Sequence, residues 1–146
     1  MRRLAREVAV QTLYEMAQSE APLRQALRDN LARRKGDEGA RVYAQRLLDV
    51  IAARGNEIRS CIDTALSNWS WERVALVDRC VLQVSTAEIL AFPDIPIRVS
   101  IDEAVEIARK FSTDDSGAFV NGVLDRVARE AAAGPGARRA GPEADA

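Results

Sequence analysis

The chain contains no histidine, and this absence narrows the kinds of chemistry it can perform. Histidine is the usual general base near neutral pH and a common zinc ligand. Only two cysteines, Cys61 and Cys80, occur among the 146 residues, and their spacing is far from that of a CxxC pair. A glycine-rich phosphate loop and a nucleophile elbow are also missing. We therefore predict a protein that is not an enzyme and binds no metal or other cofactor.

Long hydrophobic runs are absent too, although apolar residues make up 47% of the chain. A membrane-spanning helix needs about 20 consecutive apolar residues. Arginines and a glutamate interrupt the N-terminal segment, where a secretory signal would carry its apolar core. The sequence predicts a cytoplasmic protein with reduced thiols and no membrane association.

Net charge is close to zero, at -1, but the charges are unevenly distributed. Residues 1–35 carry eight basic and four acidic side chains, whereas the remainder carries 13 basic and 18 acidic ones. A basic end on an acidic body suits a polyanion on one face and a basic protein on another. An accidental split among solvated helix faces explains the same counts, and composition alone slightly favours it.

Helical periodicity of apolar residues runs through most of the chain, with no sustained strand-like alternation. We predict an all-α fold of about seven helices in two small packed bundles. Residues 1–132 form one domain, with sub-bundles of about 1–68 and 69–132. The segment 133–146, rich in glycine, proline and alanine, has little to bury and is predicted to be a disordered tail.

Three local patterns make more specific structural predictions. A long third helix is expected over about 39–66, with Gly55 as the place for a kink. Ser100 and Glu103 have the spacing of a capping box, in which each side chain satisfies a backbone donor at a helix start. Gly122 interrupts an apolar helical stripe, which predicts a close helix–helix contact there.

The start of the first helix carries Arg2, Arg3 and Arg6, followed by Gln11 and Tyr14. Cations at a helix N-terminus oppose the macrodipole and cost roughly 0.3–1 kcal/mol each. Guanidinium groups, an amide and a ring are the groups that single-stranded RNA recognition uses. These residues are therefore candidates for RNA contact, and the alternative is a solvated or salt-bridged helix start.

Several ordered segments resemble the NusB family of bacterial transcription antitermination factors. The resemblance extends over most of the chain, although no single motif is diagnostic. The segments that carry it are Arg2–Tyr14, Val77–Arg79, Ile101–Glu106, Lys110–Phe111, Asp115–Ser116 and Phe119–Asp125.

The resemblance implies an all-helical, two-bundle protein that binds the boxA element of nascent ribosomal-RNA leaders. It does so together with NusE, a small-subunit ribosomal protein, and the complex helps RNA polymerase read through terminators. The resemblance leaves open whether the chain is a monomer or a homodimer. The implied RNA surface comprises Arg2, Arg3, Arg6, Gln11, Tyr14, Lys110, Asp115 and Phe119. The competing hypothesis is a helical adaptor that binds proteins but no RNA.

A protein-partner surface is expected on the segment from about Trp71 to Phe92. Acidic residues there, including Glu88, are expected to be exposed and to attract a basic ribosomal protein, while an apolar centre supplies most of the affinity. With the resemblance, the residues expected at the NusE interface are Glu72, Arg73, Asp78 and Leu82.

Overall fold

The computed structural model describes residues 2–133 and is all-α, as predicted. Among these residues there are seven α-helices, one 3-10 turn and no β-strand. Of the predicted tail 133–146, Ala133 is the last residue of the seventh helix, and residues 134–146 lie outside the described residues. The helices are α1 (Arg2–Gln18), α2 (Leu23–Arg33), α3 (Glu38–Ala53), α4 (Gly55–Leu66), α5 (Leu76–Ala91), α6 (Ile97–Phe111) and α7 (Asp114–Ala133), with the 3-10 turn at Trp71–Arg73.

Two bundles share one apolar core. Helices α1, α2 and α3 pack together, while α4 packs mainly against α7 and α5, and α5, α6 and α7 pack on one another. Contacts of α5 with α1 and α3 join the two bundles. The change of bundle therefore falls near Arg54, earlier in the chain than the predicted division at residue 68.

The predicted long third helix is two helices. Arg54 leaves the helical conformation, with φ -120° and ψ 28°, and both caps α3 and begins α4. Its N–H donates to the Val50 carbonyl at 2.8 Å, and its own carbonyl accepts from the Ile58 N–H at 2.9 Å. Gly55 follows directly, so the break coincides with the glycine at which a kink was expected.

The predicted capping box is wrong, because α6 begins one turn earlier than the pattern suggested. Pro96 precedes the first helical residue, Ile97, and proline presets the backbone for a helix start. Ser100 and Glu103 are consequently inside the helix. Their side chains reach other helices: Ser100 Oγ donates to Glu88 Oε1 at 2.6 Å, and Glu103 pairs with Arg3.

The close approach of α6 and α7 occurs at Gly117, whereas Gly122 is not crowded. A Cβ atom at Gly117 would lie 2.9 Å from Arg109 Cγ and 3.4 Å from a Val105 methyl carbon. At Gly122 the nearest atom of this kind, on Arg126, is 4.0 Å away. The predicted close contact at Gly122 is therefore absent.

A buried polar network links four helices around the Glu88 carboxylate. Arg6 of α1 donates to it from Nε at 2.9 Å, Tyr43 of α3 donates its hydroxyl, and Ser100 of α6 donates at 2.6 Å. Burial is the main cause that raises the pKa of Tyr43, and the hydrogen bond to the Glu88 carboxylate raises it further. Glu88 is only 1% exposed, so the expectation that it lies on the surface is wrong.

Replacing Glu88 by glutamine should destabilise the fold by about 3–5 kcal/mol, because the Arg6 charge would remain buried without its main partner. Asp63→Asn is the control, since Asp63 forms an exposed pair with Arg59 on α4. That change should cost less than about 1 kcal/mol. Urea unfolding followed by circular dichroism measures both values, and equal effects of the two substitutions would contradict this account of the network.

Candidate functional site

A cleft of about 440 Å³ lies where α1 and α2 meet α5 and α6. Its lining combines two amides, two aromatic rings and a guanidinium, that of Arg33, which pairs with the Glu15 carboxylate at 3.1 Å. Gln11 and Tyr14 were predicted from the sequence to act together, and they do line this cleft. The lining residues are Val10, Gln11, Tyr14, Glu15, Asn30, Arg33, Val77 and Phe111.

Glu7 gathers two cations beside this cleft. Its carboxylate, in a residue only 2% exposed, accepts from Lys110 Nζ at 3.1 Å and from Arg34 Nη2. The other terminal nitrogen of Arg34 donates to Gln11 Oε1 at 2.8 Å. Cations from α6 and from the end of α2 are thus fixed next to the Gln11 amide, and the Lys110 side chain stays 54% exposed.

Arg34 is a candidate that the sequence did not single out. Cations in the last turn of a helix compensate its dipole, so the run Arg33–Lys35 has a sufficient structural explanation. Its contacts with Glu7 and Gln11 span 27 and 23 residues of sequence. Contacts between residues so far apart in the sequence cannot be predicted from helical spacing.

The three N-terminal arginines have different surroundings. Arg2 is exposed, with its guanidinium 5.6 Å from the centre of the Tyr43 ring. Arg3 is half-exposed and makes two hydrogen bonds to Glu103, at 2.7 and 2.8 Å. These bonds raise the pKa of Arg3 and lower the pKa of Glu103.

Arg6 does not lie on the surface, which corrects its prediction as an RNA contact. Its side chain is 7% exposed and lies between Glu88 and Glu103, the latter at 3.6 Å. Its charge is therefore neutralised inside the fold. The residue sets the position of α1 rather than offering a donor to a ligand.

Phe119 and Asp115 of α7 do not line the cleft. The half-buried Phe119 ring lies 6.2 Å from the Trp69 ring, and the Arg73 guanidinium lies 5.2 Å from the centre of that indole. Trp69 is 46% exposed. These residues and the exposed Glu72 mark a second surface, here called the Trp69 surface, which comprises Trp69, Glu72, Arg73 and Phe119.

Two of the residues predicted at a protein interface are buried instead. Leu82 has no exposed surface and Asp78 is 6% exposed, because α5 is the central helix and is covered on nearly all sides. The Asp78 Oδ2 atom accepts from Ser116 Oγ at 3.2 Å, whereas Oδ1 has no hydrogen-bond partner among the described residues. Burial raises the pKa of Asp78, and the hydrogen bond from Ser116 opposes that rise.

The described part of the chain shows neither a metal-binding cluster nor a membrane-spanning helix. Residues 2–133 contain no grouping of three or more cysteine and carboxylate side chains suited to a metal ion. None of the described helices combines the length and hydrophobicity needed to span a membrane.

Comparison with known proteins gives a consistent result. The model of the NusB family matches residues 3–129. The transcription antitermination protein NusB of Geobacter sulfurreducens is 41% identical over 87% of this chain and 93% of its own length. A solved structure of NusB from T. maritima is 39% identical, with a TM-score of 0.81 over 89% of this chain and 92% of that one.

A structure of the antitermination factors NusB and NusE in complex with double-stranded RNA also superposes on the fold. Its TM-score is 0.80 over 88% of this chain and 96% of that chain. At 24% identity, this likeness shows the shared fold alone.

Asp78→Asn should make the protein more stable, and the gain should grow with pH. The folded-state pKa of Asp78 lies above the unfolded value of about 3.9. The folded protein therefore binds more protons in that window, and its free energy of unfolding falls as pH rises from about 4 through the folded-state pKa. Urea unfolding of parent and variant at pH 4 and pH 7 measures the difference.

Ser116→Ala should have the opposite effect on the free energy of unfolding, because it removes the hydrogen bond that lowers the Asp78 pKa. It should steepen the loss of stability between pH 4 and pH 7. A pH-independent difference between Asp78→Asn and the parent would contradict the assignment.

Proposed function

We propose that this chain, which belongs to the NusB family, binds boxA-type RNA of nascent ribosomal-RNA transcripts together with NusE. In this proposal it acts in the transcription antitermination complex with RNA polymerase, in the cytoplasm, by binding and without catalysis. The observation that carries the proposal is the cleft holding Gln11, Tyr14 and Phe111, with Arg34 and Lys110 fixed beside it by Glu7.

The cleft offers an unstacked base the two kinds of contact it needs. Rings of Tyr14 and Phe111 line the same cavity, and stacking on an aromatic ring contributes about 1–3 kcal/mol per base. Gln11 Oε1 already accepts a hydrogen bond from Arg34. The NH₂ group of the Gln11 side chain is therefore the part that donates to a base. The amide then favours a base edge that presents an acceptor.

The RNA backbone needs cations, and the structure supports a smaller set than the sequence suggested. Lys110 and Arg34 carry two charges against the single charge of Glu7, and Arg2 is exposed without a carboxylate partner among residues 2–133. Arg3 contributes less while it is paired with Glu103. We therefore propose Arg2, Arg34 and Lys110 as the main phosphate contacts.

For NusE, we propose the Trp69 surface. Exposed tryptophan and arginine are the residue types most often found at the energetic centres of protein interfaces. Glu72 and Arg73 are exposed there, whereas Asp78 and Leu82 are buried and are not part of the proposed surface. Phe119 belongs to this surface by its contact with Trp69, and we propose Asp115, which is exposed near the start of α7, at its edge.

Tyr14→Ala should weaken binding to boxA RNA about 5- to 150-fold, the equivalent of one lost base stack. Tyr14→Phe keeps the ring and should bind nearly as well as the parent. Fluorescence anisotropy with labelled boxA RNA and a scrambled RNA, with and without NusE, measures these affinities. Equal and very weak binding to both RNAs would instead support the protein-only adaptor.

Glu72→Lys should slow association with NusE severalfold at low salt, because a charge at the edge of an interface acts mainly on the rate of encounter. Glu130→Lys, the same change at an exposed position of α7, is the matched control. Surface plasmon resonance at two salt concentrations resolves the rates. If both variants associate with NusE equally fast, the Trp69 surface is not the NusE site.

A further inference from the structure

A second concave surface, of about 640 Å³, lies between α2 and α3 on the side of α2 away from the cleft residues. Four of its lining side chains are cationic, and the apolar side chains of Leu27 and Leu31 form part of its wall. We call this surface the basic groove and define it by Arg24, Arg28, Lys35 and Arg41.

The basic groove keeps a net positive charge, because its lining has four cations and two carboxylates, Asp37 and Glu38. Asp37 caps α3 by accepting from the Ala40 N–H at 2.9 Å, and Glu38 makes two hydrogen bonds to Arg41, at 2.9 and 2.6 Å. Both carboxylates in the lining are thus already engaged. The other three cations are exposed and have no ion pair or hydrogen bond from their side chains in the described part of the chain: Arg24, Arg28 and Lys35.

Helix stability does not explain the two cations on α2 itself, Arg24 and Arg28. Arg24 lies in the first turn of α2, which contains no acidic residue, and a cation there opposes the helix dipole. Arg28 is four residues further on, so the two like charges repel each other on one helix face.

Lys35 occupies a position where glycine would be more stable. Its φ of 53° places it in the left-handed region, two residues after Arg33, the last residue of α2. The N–H of Gly36 donates to the Leu31 carbonyl at 2.9 Å, and that of Lys35 to the Ala32 carbonyl at 3.2 Å. This is a Schellman motif, whose left-handed residue is usually glycine. A lysine there places an ammonium group in the groove at a cost in backbone strain.

The basic groove and the cleft meet at the C-terminal end of α2. Arg33 lines the cleft, Arg34 binds Gln11 beside it, and Lys35 lines the groove. Arg33 pairs with Glu15 at 3.1 Å and Arg34 pairs with Glu7, so Lys35 is the cation of the three without a carboxylate partner among residues 2–133. Neighbouring Cα atoms are about 3.8 Å apart, so the three residues connect the cleft to the groove over one short stretch of chain.

From this continuity we infer that the basic groove binds the sugar–phosphate backbone of the RNA that continues beyond the segment held in the cleft. This inference rests on the proposed function, because it assumes that RNA occupies the cleft. An acidic protein would satisfy the charge equally well, but a strand leaving the cleft already carries its phosphates to the groove. Contacts to phosphates are independent of base sequence, so the groove lengthens the binding site without adding specificity.

The test compares boxA RNA with the same RNA extended by several uridines at either end. The parent protein should bind one of the two extended RNAs more tightly than boxA alone, with a steeper salt dependence. Lys35→Gly and Arg28→Gln should each remove part of that gain and lower the salt slope by about 0.7, the value for one lost contact to a single strand. Both variants should bind unextended boxA like the parent.

Arg129→Gln is the matched control, since Arg129 is exposed on α7 without an ion pair among the described residues. Lys35→Gly places glycine at a left-handed backbone position, so this variant should fold at least as well as the parent. If the parent binds boxA and neither extension adds affinity, the inference is overturned while the proposed function stands. Absence of any boxA binding would instead refute the proposed function. An equal loss of that added affinity in Arg129→Gln would also overturn the inference that the basic groove binds RNA.

Discussion

The ion pair between Arg6 and Glu88 is the interaction on which the arrangement of the molecule depends. It is buried, and Glu88 also binds Tyr43 and Ser100, so one carboxylate ties together α1, α3, α5 and α6. Such a pair adds little net stability over a hydrophobic core, but its geometry is demanding, and we regard it as a device that fixes orientation. With Arg6 turned inward, the rotation of α1 is set, and Gln11 comes to line the cleft.

A second buried carboxylate, Glu7, follows Arg6 directly in sequence and has the complementary role. It binds Lys110 and Arg34 at the surface, whereas Glu88 binds its cation in the interior. The positive charge of the N-terminal region is therefore divided into a buried part that positions helices and an exposed part that contacts RNA in the proposed function. The exposed part is concentrated around the two ends of α2 and beside the cleft, which explains how a chain of net charge -1 can present a basic face.

The sequence was sufficient for the all-α fold, because apolar residues at helical spacing mark buried stripes, but it did not show that the third helix divides at Arg54. It also placed Gln11 and Tyr14 together, since residues three apart lie on one helix face. It did not distinguish Arg6 from Arg3, because the difference is set by Glu88, 82 residues away. The same applies to Asp78 and Leu82. Their burial depends on the helices that cover α5, and no local sequence pattern indicates which helices those are. The apparent capping box failed because Pro96 starts α6 before Ser100.

The most direct measurement uses the two tyrosines of the chain, Tyr14 in the cleft and Tyr43 in the buried network. In protein carrying ¹³C-labelled tyrosine, each ring gives its own NMR signals, and boxA RNA is titrated in. The account predicts large, saturable shifts of the Tyr14 ring signals and smaller shifts of those of Tyr43, whose ring centre lies 5.6 Å from the Arg2 guanidinium. Scrambled RNA at the same concentrations should produce neither response. Tight binding of boxA RNA that leaves the Tyr14 signals in place would contradict the central claim that the cleft is the RNA site.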